Sequence, residues 1–282
     1  MAILPASASA SQLVASDATN VTLKVDASNV ALVEYRAADG SQQHVLFWGA
    51  VNGRKRFTVD RSGGWKSRKA DWRTLQNVCG TYTGPVLEYA LAKCTMPDGT
   101  HWALQSWMRE IKNYGGVSGP VDLRISHFSG PIAYLWIQSD WSWRGRFRHI
   151  YGQYIYQGRP VVAVKFRPDG YVLDGIGRNI AIDSWNSDYG TGWRRVNAFL
   201  SHQPSGEFCF GFSPKIPGDP RTGHSPSEWY RASVAGPGVS PDVMQHFRGQ
   251  LVPYSAEVDA QHNHWQGVLT NWASTGPCSK RN

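Results

Sequence analysis

Acidic, amide-bearing and flat aromatic side chains crowd one stretch of this chain, residues 170–212. Asp183 and Glu207 are its candidate acid and base. Paired carboxylates hydrolyse glycosides when they stand about 5–5.5 Å apart for retention, or about 6.5–9.5 Å apart for inversion. One of the two must exchange a proton with the scissile bond. Trp185, Tyr189 and Trp193 offer rings that stack on the apolar faces of sugars. Asn179, Asn186, Asp188, Arg195 and Asn197 offer planar amide, carboxylate and guanidinium groups for paired hydrogen bonds to hydroxyls. Together they read as a saccharide site. The same residues have a second reading, in which Asn and Asp bond their own backbone and the indoles cap the edge of a core.

Other chemistries lack their residues. No GxSxG nucleophile turn and no HExxH helix occurs. Gly175 and Gly177 lack the third spaced glycine of a phosphate-binding loop, so no nucleotide cofactor is expected. His262 and His264 would diverge by about 200° on a helix, which is poor chelation geometry. No metal site is expected from the histidines or cysteines. Asp183, Asn186 and Asp188 could supply oxygens to calcium, but not at the spacing of an EF-hand loop.

The elements that must position these groups are strands. Residues 179–183 read as a strand, 183–192 as a loop rich in Asn, Ser, Asp and Gly, and 193–200 as a second strand. Pro204 to Gly206 is a turn, after which Phe208, Phe210 and Phe212 alternate. Upstream, residues 21–25, 31–36 and 44–48 read as strands, the last two joined through Asp39 and Gly40. Residues 86–92 resemble a short helix. The run 101–108 alternates two mixed faces, so it should be a strand buried on both sides. Residues 121–128, 131–138 and 147–156 are further strands, and 160–166 pairs with the last of these. Tyr230 to Ala235 is another strand. Val258, Trp265, Val268, Leu269 and Trp272 share one helical face, so 257–272 reads as an amphipathic helix.

The fold class that follows is all-β, mainly an antiparallel sandwich or jelly-roll-like body with a C-terminal amphipathic helix. No fixed repeat and no linker divides it. The chain is 282 residues long, and residues 21–282 read as a single β-rich domain. The 13 tryptophans favour strands and stacking surfaces over helices. A net charge of +8 favours anionic partners. Its densest basic runs, 52–56 and 66–69, look like solvated loops rather than a nucleic-acid track. No window is long and apolar enough to span a membrane.

Residues 1–10 end in small residues, Ala8, Ser9 and Ala10, like the tail of an export signal, and residues 11–20 read as unstructured. An even count of 4 cysteines agrees with an oxidising compartment. Of the three pairings open to them, Cys79–Cys94 and Cys209–Cys278 are favoured, since the first closes a short loop and the second staples the C-terminus.

Several stretches carry a resemblance: 128–130 (FSG), 151–160 (YGQYIYQGRP), 177–179 (GRN), 186–193 (NSDYGTGW), 202–209 (HQPSGEFC) and 236–242 (GPGVSPD). Over most of its length the chain resembles a group of secreted proteins of unknown function from high-GC Gram-positive bacteria. The resemblance implies export and a single body, and it carries no activity. The expectation is a secreted monomer that binds a polysaccharide or an anionic cell-wall polymer. The alternatives are a polysaccharide hydrolase or lyase, and a structural or partner-binding extracellular protein.

Overall fold

The computed structural model describes residues 11–52, 57–61, 64–65, 70–108, 121–132, 134–143, 147–156, 159–160, 179–200, 207–212, 229–235, 246–250, 256–257 and 260–261, some of them by backbone alone. The chain gathers into two compact units. The first is built from Met1–Glu110, Gly119–Ile132 and Ala235–Met244, and the second from the remainder. Both carry antiparallel sheets.

The first unit contains β1 (Ser11–Ser16), β2 (Thr19–Val25), β3 (Ala31–Arg36), β4 (Gln42–Gly49), β5 (Phe57–Asp60), β6 (Gly64–Trp65), β7 (Ala70–Asp71), β8 (Ala90–Thr95), β9 (His101–Met108) and β10 (Val121–Phe128). One sheet has the order β1-β10-β9-β8 and another β2-β3-β4-β5. Consecutive strands neighbour one another except for β1, which lies beside β10. The two sheets pack as a sandwich, because apolar residues alternate along most of their strands and turn inward. Val14, Trp102, Leu104, Leu123 and Ile125 come from one sheet and Val25, Val33, Tyr35, Val45 and Phe47 from the other. Val30, Leu32 and Leu46 bury beneath Trp48, Trp72 and Leu75 on the opposite face of the second sheet. Trp72 is held there by stacking on His44 at 3.7 Å, and His44 in turn meets Glu34 at 3.3 Å.

Strand β9 is buried on both faces, as its sequence predicts. Trp102 and Leu104 face the core, while His101, Ala103 and Gln105 are buried on the other side. The expected turn at Asp39 and Gly40 is present, with Gly40 at φ +85° and the Asp39 carboxylate accepting from the Ser41 N–H at 2.9 Å. Two expectations are corrected. Residues 11–20 are not unstructured: they supply β1 and the start of β2, and Val14 is only 2% exposed. Their Ser- and Ala-rich composition hides the single valine that drives burial. Residues 86–92 are not a helix. Tyr89 has φ +56°, outside the helical basin, and its carbonyl accepts from Ser106 N–H, so the chain passes into edge strand β8.

The Cys79–Cys94 disulfide forms as expected. Inside its loop, the Tyr82 hydroxyl donates to the Pro85 carbonyl at 2.6 Å, and the ring meets His101 edge-on at 5.3 Å. Gly84 permits this approach, since a Cβ there would lie 2.6 Å from the phenol oxygen. Burial pushes the Tyr82 phenol up to about 12 and holds the His101 imidazole below its ordinary range.

The second unit contains β11 (Tyr134–Trp143), β12 (Phe147–Tyr156), β13 (Arg159–Pro160), β14 (Asn179–Ser187), β15 (Gly190–Leu200), β16 (Glu207–Phe212), β17 (Trp229–Ala235) and β18 (His246–Gln250). One sheet runs β11-β12-β13 with β16 also on β12, and the other runs β15-β14-β17-β18. The start of the hairpin expected after Tyr156 is seen in the pairing of β12 with β13, while residues 161–166 lie outside the described residues. Residues 1–10, Cys278, the side chain of Cys209 and most of the expected helix over 257–272 lie outside the described residues. Among the described residues, no helix is long and apolar enough to cross a membrane.

Two outcomes are expected for the first unit. Replacing Cys79 and Cys94 together by Ser frees a 15-residue loop and should lower unfolding free energy by about 3 kcal/mol, read by urea titration. His101 adds a pH dependence. Because its folded value is lowered, the unfolded chain takes up the proton first. Its contribution is therefore complete above about 6.5, the ordinary histidine value, and is lost as pH falls below it. Between about pH 7.5 and 5.5 the urea midpoint should fall more for the wild type than for His101→Asn.

Candidate functional site

Strands β14 and β15 form one antiparallel ribbon that turns at Asp188 and Tyr189. The loop expected over 183–192 is thus much shorter, because both strands run on through it. Register shifts between Ile182 and Asp183 and between Trp185 and Ser187 absorb the extra residues. Asn186 at φ +47°, Gly190 at +126° and Gly192 at +74° supply the left-handed backbone these shifts need. The Asn186 carbonyl oxygen accepts from the Gly192 N–H at 2.7 Å. Ser187 ties the turn, its hydroxyl accepting from Ser184 at 2.8 Å and from the Tyr189 N–H at 3.2 Å.

Trp185 and Trp193 are directly opposite across the ribbon, and so are Asp183 and Arg195. Alternation along a strand puts all four side chains on one face. The indoles meet edge to face, with centroids 5.3 Å apart and an interplanar angle of 61°. Gly192 leaves room for this packing, as a Cβ there would lie 4.0 Å from the Trp185 ring. Trp185 is exposed at 41%, whereas Trp193 and Tyr189 are half-buried.

Asp183 is 3% exposed, and each of its oxygens accepts from a guanidinium. Arg195 Nε–H donates to Oδ1, and Arg231 Nε–H, from β17, donates to Oδ2 at 2.7 Å. The Arg231 guanidinium also lies over the Trp193 ring, 4.7 Å from its centroid. A buried charge laid against its counter-charges, then a stacked cation, then an indole pair, rise in that order toward solvent. Trp229 stands two residues before Arg231 on β17, hence on the same face, and is 47% exposed.

The residues singled out in the sequence therefore divide. Trp185, Trp193 and Tyr189 come together at the ribbon's end, and Asp188 sits exposed in the turn. Asn186 and Arg195 are committed to the protein itself, the first to the Gly192 amide and the second to Asp183. Asp183 is a buried counter-ion, which argues against acid–base work because no substrate oxygen can replace either guanidinium without stranding a charge. For the same reason it is not set up to join Asn186 and Asp188 around calcium. The side chains of Asn179, Asn197 and Glu207 lie outside the described residues. Their backbones place Asn179 opposite Leu200 and Asn197 opposite Ile182, while Glu207 stands opposite Gln153 in the other sheet from Asp183. Sequence reading missed Trp229 and Arg231. The alternation of Trp229 and Arg231 with the inward Tyr230 and Ala232 was the available signal.

Fold and site define a class: a disulfide-containing protein built mostly of antiparallel β-sheets, with an aromatic and cationic face on one sheet. No protein-family model matches the chain, and neither does any curated protein or solved structure.

If the Asp183 cluster carries the face, Asp183→Asn should destabilise the protein by about 3–5 kcal/mol, since it leaves buried Arg195 without its counter-charge. Urea unfolding followed by tryptophan fluorescence measures this. A change below about 0.5 kcal/mol would place Asp183 among ordinary surface acids.

Proposed function

We propose that the chain is a secreted protein that binds a polysaccharide or anionic cell-wall polymer through the Trp185–Trp193 face. The observation that carries this reading is an indole 41% exposed at the end of a ribbon whose turn is tied down by the Asn186 and Ser187 side chains. An exposed Trp is costly to leave in water and is here supported from beneath by Trp193 and Arg231, so it is presented rather than merely left over. A preorganised ring loses little freedom when a sugar stacks on it. Export fits the disulfide and the resemblance to secreted proteins of high-GC Gram-positive bacteria. Jelly-roll detail, a C-terminal helical lid and a monomeric state complete the proposal. The hydrolase or lyase alternative would have to find an acid other than Asp183, and the partner-binding alternative would use the same rings without a sugar.

A panel of soluble polysaccharides, titrated with intrinsic tryptophan fluorescence and calorimetry, tests the reading. Binding by the wild type is expected, and Trp185→Ala should weaken it about tenfold, equivalent to about 1.4 kcal/mol, with unfolding stability unchanged. A folded protein whose fluorescence ignores every polymer would transfer the face to a protein partner. Release of reducing ends during the titration would favour the hydrolase.

A further inference from the structure

We propose that Arg231 makes this face select saccharides bearing an anionic group, a carboxylate or a phosphate, beside the stacked ring. The inference rests on the glycan reading of the same face. The charges there do not balance: one carboxylate, Asp183, meets two guanidiniums, Arg195 and Arg231. Arg195 and Asp183 are buried, with side chains 8% and 4% exposed, so they satisfy one another first. The surplus positive charge then falls on Arg231, whose side chain is 20% exposed.

Arg231 is also attached by one edge only. Its Nε–H donates to Asp183, its plane rests on Trp193, and among the described residues its Nη pair makes no hydrogen bond. An unpaired guanidinium fork costs several kcal/mol when dry, so at partial exposure it must be hydrated. Water on such a fork is readily exchanged for an oxyanion, whose paired oxygens match the parallel N–H groups. Clamped between Asp183 and Trp193, the guanidinium does not have to be ordered when that anion arrives. The net charge of +8 adds a general attraction for the same polymers. A cation that merely offset Asp183 would be better placed inside, as Arg195 is.

The experiment compares polygalacturonate, the same polymer after carboxyl reduction, and poly(glycerol phosphate), each titrated into the full chain by calorimetry. The wild type should bind at least one of the two anionic polymers about tenfold more tightly than the reduced one. The tighter of the two identifies the source of the anion. The preference should shrink at high salt. Arg231→Lys keeps the charge beside Asp183 but loses the fork, and should erase most of the preference while affinity for the reduced polymer stays. Arg231→Gln should erase all of it. If Arg231→Gln fails to fold, Arg231→Lys carries the test. Equal wild-type affinity for reduced and anionic polymers would overturn the selection by Arg231 and leave Trp185-dependent glycan binding standing. An unchanged preference in Arg231→Lys and Arg231→Gln would overturn it as well. No binding to any polymer, or binding indifferent to Trp185→Ala, would overturn the glycan reading beneath it.

Discussion

The carboxylate of Asp183 lies out of reach of water, and a charge in that position persists only with counter-charges against it. Arg195 reaches it from β15 and Arg231 from β17, on either side of β14. Three strands are thereby tied through one acidic residue, and the register shift beside Asp183 sets how β15 lies against β14. The rest of the face follows from this. Arg231 can lie over Trp193 because Asp183 holds it there, and Trp193 can support Trp185 because the ribbon puts them opposite. What the chain presents to solvent is therefore dictated by what it conceals beneath.

The first unit rests on a different constraint, the apolar alternation of two sheets. Its core draws most of its inward positions from Val, Leu, Ile, Phe and Trp, and burial extends to polar residues of β9 and β10 on their second face. The disulfide joins Cys94, inside that core, to Cys79 at its margin, so the covalent link continues the packing.

Much of this was legible because strand alternation is a local signal. Residues 31–36, 44–48 and 101–108 show their buried faces in their own sequence, and the Asp39 and Gly40 turn announces itself by residue type. Ser11 to Ser16 did not, because a single buried valine among small polar residues makes no pattern; only its partner strand β10, far along the chain, makes it a strand. Around 183–192, Asn, Ser, Asp and Gly carry the composition of a loop, whereas the structure spends the same residues on bulges within paired strands. The aromatic members of the candidate site were visible as residue types. The roles of Asp183 and Arg195 were not, since a carboxylate flanked by arginines from two strands looks in sequence like any soluble acid. Arg231 was invisible for the same reason: its partners are 48 and 38 positions away by numbering.

Strand β1 lies at the rim of its sheet, hydrogen-bonded to β10 from Ser11 onward. Trimming the chain past that residue would uncover the amides and carbonyls along β10, a template on which a foreign strand can grow. How far the start of the chain can be shortened is thus written into the ladder, and a cut a few residues past Ser11 would yield an aggregating protein rather than a shorter one.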